Sequence, residues 1–134
     1  MKLFDLSGRK TLDATSPVSF AEWKEARQGT AISLPQDVEV EELHSYLGSL
    51  SLIVLEFPIF RDGRAFTQAR SLREYEGYKG EIRASGHLLP DQAIHLRRCG
   101  FDSVVLSEDA NVKDWEEQLG RYQFYYQNTV ISPT

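Results

Sequence analysis

The chain has 134 residues and a mass of 15.3 kDa, with 41% hydrophobic and 26% charged residues, which suits one α/β-sized domain over 1–134 and leaves little material for a second core. That composition excludes disorder, collagen and coiled coil, and the longest apolar run, Leu50 to Phe60, is broken by Ser51, Glu56 and Pro58, well short of the ~20 residues of a membrane span. The net charge of −5 argues against a general nucleic-acid binder, because the phosphate backbone rewards a basic surface.

In chain order, Met1 to Leu6 lacks the apolar stretch and cleavage site of a leader, so a soluble, cytoplasmic protein is expected. Lys2 to Asp13 alternates loosely around Ser7-Gly8 and reads as a small N-terminal hairpin within residues 1–15. Ser19-Phe20-Ala21-Glu22 has capping-box spacing, so a helix should run from about Ser19 to Gln28 and stop at Gly29. Thr30 to Leu34 reads as a strand, and Val38 to Leu47 as a helix with Val40, Leu43 and Leu47 on one face. Leu52 to Phe57 is a nearly continuous apolar run, as expected of a strand covered on both faces. Asp62 to Glu76 should be helical with Phe66, Ala69, Leu72 and Tyr75 inward, ended by Gly77 and Gly80.

Glu81 to Ser85 is the next strand, Leu89 to Cys99 a helix burying Leu89, Ala93 and Leu96, and Phe101 to Leu106 the last strand. Asn111 caps a final helix on which Trp115, Leu119, Tyr122 and Tyr126 fall on one stripe, the spacing of core packing. Strand and helix therefore alternate through about four βα units, which predicts a parallel sheet with right-handed crossovers. Either an open three-layer sheet or a half-barrel-like arc satisfies this pattern.

In such folds the strands point their carboxyl ends to one edge, where functional residues converge. Gln36 and Asp37 follow the first strand of this series, Arg61, Asp62, Gly63 and Arg64 the second, Ser85, Gly86 and His87 the third, and Ser107, Glu108 and Asp109 the fourth. The densest block, Arg61-Asp62-Gly63-Arg64, could set guanidinium groups and helix N–H groups around an anion; equally, Asp62 could cap the helix and the arginines pair locally. Charge is uneven: residues 61–98 carry a net +3, dominated by arginine, inside a chain that is otherwise acidic. Arg70 and Arg73, one turn apart, should face solvent or cover apolar surface with their stems. His87 has no partner implied by spacing, and His44 and His95 lack a second ligand at i+4, so no metal site is expected. The single cysteine, Cys99, excludes an internal disulfide, a self-held iron–sulfur cluster and a multi-cysteine zinc site. No dinucleotide fingerprint, P-loop or nucleophile elbow is present, and no cofactor is expected.

The block Phe57-Pro58-Ile59-Phe60-Arg61-Asp62-Gly63-Arg64-Ala65-Phe66 and its continuation to Glu74, followed by Gly77-Tyr78-Lys79-Gly80-Glu81-Ile82-Arg83-Ala84-Ser85-Gly86, Asp91-Gln92 and Arg97-Arg98-Cys99-Gly100-Phe101-Asp102, resembles a bacterial domain family of unknown function. Members are commonly encoded beside sulfite reductase and labelled as oxidoreductases of sulfite reduction. The likeness spans about residues 50–127, ending in a Tyr-Gln element like Tyr126-Gln127. It departs from the family pattern at Ala65, where a glycine is usual, and at His87, where an aspartate is usual.

The resemblance implies a place in assimilatory sulfite and sulfate reduction, and it carries over Arg61, Asp62, Gly63, Arg64, Arg70 and Arg83 as the anion- or partner-binding set. Sulfite is reduced on a sirohaem coupled to an iron–sulfur cluster, which one thiol cannot hold. The expectation is therefore an accessory protein assisting sulfite reductase or another sulfur-assimilation enzyme, with no nucleic-acid or membrane partner. The alternative is a small enzyme acting on an anionic metabolite, with Asp62 or His87 as acid/base. A self-associating structural protein is the third reading, and the sequence leaves the oligomeric state open.

Overall fold

The structure, a computed structural model, describes residues 2–6, 16–57, 64–86 and 88–120. Six strands form one sheet: β1 (Lys2–Asp5), β2 (Val18–Ser19), β3 (Ala31–Leu34), β4 (Leu52–Phe57), β5 (Glu81–Gly86) and β6 (Ser103–Leu106). Helices α1 (Phe20–Ala26), α2 (Arg64–Glu74) and α3 (Ala93–Arg98) join them, with a 3-10 helix over Val40–Ser49 and a final helix, α4, described over 112–120. The sheet order is β1-β6-β5-β4-β3-β2. Strands β2 to β6 run parallel, and β1 pairs antiparallel with β6, Lys2 opposite Leu106.

From β2 to β6 each crossover moves one place in the same direction, and crossovers of one hand then put every helix on one face. The core has this form. Ile32, Leu34, Ile53, Leu55, Phe57, Ile82, Ala84, Val104 and Leu106 face a helical layer that contributes Phe20, Trp23, Val40, Leu43, Ala69, Leu72, Leu96 and Trp115. The alternate residues Ala31, Leu52 and Val54 form a separate apolar cluster on the second face, to which no described helix contributes. The architecture is mixed α/β, with a mostly parallel six-stranded sheet flanked by helices.

Most local signals act as their chemistry dictates. The Ser19 hydroxyl accepts the Glu22 N–H at 3.4 Å, and the Asn111 side chain accepts that of Lys113 at 3.0 Å. Several boundaries differ from the pattern. Helix α1 stops at Arg27, which itself takes the left-handed conformation (φ 54°) before Gly29 is reached. The segment read as an α-helix over Val38 to Leu47 is the 3-10 helix, because its core-facing ridge Val40, Leu43, Tyr46 repeats every three residues, the 3-10 period. Tyr75 is 82% exposed rather than inward, since α2 ends at Glu74; Tyr78 takes the buried place, its hydroxyl donating to Leu50 O at 3.1 Å. Leu89 is exposed because it precedes Pro90 in an extended conformation, outside the helix. The first arm of the expected N-terminal hairpin is β1, paired with β6; the second arm, like Tyr122 and Tyr126, lies outside the described residues.

Arg73 ties the amino-terminal edge of the sheet together. Its guanidinium donates to the carbonyls of Gly100 (3.0 Å), Tyr78 (2.7 Å) and Gly80 (2.9 Å) and meets Asp102 at 2.6 Å. Asp102 in turn accepts the Ile82 N–H at 3.0 Å. The solvent-facing role expected of Arg73 is corrected by these contacts: its partners lie on the loops entering β5 and β6.

Candidate functional site

The carboxyl ends of β3, β4 and β5 bring Ser33, Glu56 and Ser85 together on the second face of the sheet. Glu56 stands opposite Ser85 in the register, and the Ser33 hydroxyl donates a short hydrogen bond to the Glu56 carboxylate. With Pro17, Val54 and Gly86 they line an open cavity of about 520 Å³. Gly86 stands in its wall at a position where only glycine fits: its φ is +119°, and a Cβ there would lie 2.2 Å from Phe57 O. A second cavity, of about 510 Å³, adjoins at Gly86 and is mainly apolar, with Leu88, Leu89, Leu106 and Trp115 in its wall.

One row deeper, Arg83 is 1% exposed and opposite Val54 and Ser103. Its guanidinium meets Glu81 at 2.7 Å and Ser103 Oγ at 3.0 Å, and the Ser103 hydroxyl donates to Glu81 at 2.6 Å. A buried cation with its own carboxylate on the same strand is internally compensated, so Arg83 stiffens the base of the edge from below.

The arginines of the sequence-based set thus occupy different places. Arg61, Asp62 and Gly63 lie outside the described residues, as does His87. Arg64 opens α2, is exposed, and lines a third cavity of about 240 Å³ on the helix side of the edge, together with Gln36, Glu39 and Gln68. Arg70 sits on the outer surface of α2, 3.5 Å from Glu74 in an exposed i,i+4 pair. Arg64, Arg70 and Arg83 therefore do not converge on one point. Among the other residues that follow strands, Asp37, Glu108 and Asp109 are exposed.

Outside the edge, His44 Nδ1 lies 2.6 Å from the Glu76 carboxylate, a contact joining the long 3-10 helix to the turn after α2. His95 packs on Phe66, with ring centroids 4.3 Å apart. Cys99 lies under it, 3.9 Å from Nε2 and 4.0 Å from Nδ1. Near-equal distances place the sulfur off both ring nitrogens, unlike the directed hydrogen bond of a thiol activated by a base. Burial pushes the Cys99 thiol above its ordinary value, Arg70 pulls it partly back, and Glu74 adds to the rise. No group of three or more His, Cys, Asp or Glu among the described residues could hold a metal ion. None of the described helices is long and apolar enough to cross a membrane.

Ser33, Glu56 and Gln68 were not among the residues singled out from sequence. Glu56 carried a signal nonetheless: it is the one charged residue between Leu50 and Phe60, and a charge at the penultimate position of a buried parallel strand points to the functional edge.

A mostly parallel α/β sheet with polar residues at its carboxyl edge defines the class of the protein. Within it, a family model described as a bacterial protein of unknown function (DUF934) matches residues 31–134. The chain belongs to this family, and the match begins at the first residue of β3. No curated protein and no solved structure matches the chain.

Proposed function

We propose that this protein is an accessory component of sulfite or sulfate reduction, acting through the carboxyl edge of its sheet on sulfite reductase or a neighbouring sulfur-assimilation enzyme. The pathway rests on the resemblance described above. The observation that carries the accessory role is the state of the only thiol: Cys99 is buried, has no aligned base, and is held protonated by its surroundings. Such a sulfur is neither a ready nucleophile nor a ready metal ligand, and the role is read as binding.

A deletion strain supplied with sulfate as its only sulfur source tests this reading. Slow growth, restored by cysteine and by complementation with Cys99→Ser, is expected, together with copurification of a sulfur-assimilation enzyme that Glu56→Gln or Arg64→Ala weakens. Normal growth on sulfate, or a folded Cys99→Ser variant that fails to complement, would overturn it.

The Ser33–Glu56 pair in its open cavity favours one second reading, a small enzyme on an anionic metabolite. Glu56 would then join Asp62 and His87 as a candidate acid/base. That reading requires turnover by the isolated protein that falls at least a hundredfold in Glu56→Gln.

A further inference from the structure

The two cavities that meet at Gly86 form one trough across the carboxyl ends of β4, β5 and β6, and Gly86 has no side chain to divide them. Its halves differ in chemistry. In the half on the second face Glu56 is exposed, and its carboxylate accepts the Ser33 hydroxyl. That bond orients the carboxylate but supplies no counter-charge, and among the described residues no cation lies against it. Glu56 is also the only charge among the described residues that line either half. The other half is walled by Leu88, Leu89, Leu106, Ala110 and Trp115. Leu89 is 46% exposed, and among the described residues Tyr75 is the one other large apolar side chain so open to solvent. A leucine exposed singly is ordinary, whereas one on the rim of an apolar cavity extends a contiguous contact surface.

The form of the trough selects its occupant. Small-molecule sites enclose most of their ligand, whereas both halves here lie open along the sheet edge. A group that complements Glu56 is a cation, and one that takes Leu89 out of water is apolar. Glu108 and Asp109, exposed between Ser107 and Ala110, carry negative charge to the far rim as well. Neighbouring strands lie ~4.8 Å apart, so β4 and the gap between β5 and β6 are separated by roughly 5–10 Å; two residues on one face of an extended chain stand about 7 Å apart. We propose that the trough docks an extended segment of a partner protein in which a basic residue and a large aliphatic residue stand two positions apart. The basic group meets Glu56, and the aliphatic side chain enters the half walled by Leu89 and Trp115. This docking mode rests on the reading of the carboxyl edge as a partner-binding surface, and adds the chemistry of the chain it takes.

Titration of the isotope-labelled full chain with acetyl-Gly-Arg-Ser-Leu-Gly-amide, followed by amide chemical shifts, tests the docking mode. Saturable shifts clustered at residues 33, 56, 85–86, 88–89 and 105–107 are expected. Replacing the peptide's arginine by glutamine, or its leucine by serine, should weaken binding at least about tenfold each, since a charge-assisted bond or an apolar burial is lost. In Glu56→Gln the arginine and glutamine peptides should bind alike, both still through the apolar half. Leu89→Ser, an exposed substitution, should lower affinity while keeping the preference for arginine. No saturable shift at about 10 mM peptide, tenfold above a weak millimolar Kd, would overturn the proposal, as would equal binding of a peptide with glutamate in place of arginine. Shifts of the same residues on concentrating the protein alone would assign the trough to a second copy of the chain and overturn it too. Growth of the deletion strain on sulfate reads the pathway and not the trough, so either result can fail without the other.

Discussion

Cys99 and Arg73 show how far a residue's neighbours can depart from what its sequence context suggests. Cys99 is buried beside His95 and Phe66, and its proton is retained because the packed helices solvate the thiolate poorly. Its alkylation by iodoacetamide should be much slower in the folded protein than in urea, and thiol titration in the two states checks this. The raised value also fixes a sign. Below the ordinary thiol value of about 9, folded and unfolded chains both hold the proton; above it the unfolded chain ionises first, so stability falls as pH rises through that range. Cys99→Ala should remove this alkaline loss, as urea midpoints across the range would show. The Arg73 guanidinium meets Gly100, Tyr78, Gly80 and Asp102, all of them five or more residues away. Arg73→Met should cost about 3 kcal/mol or more in urea denaturation, because it removes the guanidinium from the Asp102 carboxylate and from three carbonyls at once. Arg73→Lys should recover only part of that, since an ammonium cannot reproduce the planar fork. Neither environment was legible from local pattern: Arg73 reads as one more charge on a helix, and its partners arrive only when β5 and β6 are in place. Glu56 was the opposite case, a charge whose misfit in an apolar run is visible in the sequence itself.

At the scale of elements, the four parallel strands β3 to β6 and the helices between them were legible because each carries its own period and its own stop. What escaped was set by the partner surface. The 3-10 helix keeps a three-residue ridge against the core, which a short stretch containing Val40, Leu43 and Leu47 cannot distinguish from a helix of longer period. Strand β2, only two residues long, exists because β3 offers it an edge. The junction of β4 and β5 depends on one position. Gly86→Ala would force a side chain into the Phe57 carbonyl in a backbone conformation that alanine resists, and should destabilise the protein by at least about 2 kcal/mol. The same substitution should disturb Ser33, Glu56 and Ser85 together, which would appear as amide shift changes clustered at the ends of three strands.

For the whole molecule, the family match and the folded body are not the same length. The match begins at Ala31, yet β1 and β2 form the two outer strands of the sheet, and Leu6, Phe20 and Trp23 belong to its core. A chain consisting of residues 31–134 alone should therefore lose its cooperative unfolding transition and associate through the bared edges of β3 and β6. Circular dichroism melts and light scattering of the truncated chain check both. The helical layer on one face was half legible, since alternation of strand and helix admitted it without demanding it. The strand order, stepping always in one direction from β2 to β6, gathers the described helices on one face.

The pairing of β1 with β6 joins residues 104 positions apart, Lys2 with Leu106. During synthesis β1 leaves the ribosome before any other strand of the sheet and cannot reach its place until β6 has followed. At about 5–20 residues per second, that is a wait of roughly 5–20 s. The parallel units can add to one another in turn as they appear, whereas the first strand made is the last able to dock. Completion of the sheet is thereby tied to the emergence of β6, the last of its strands in the chain.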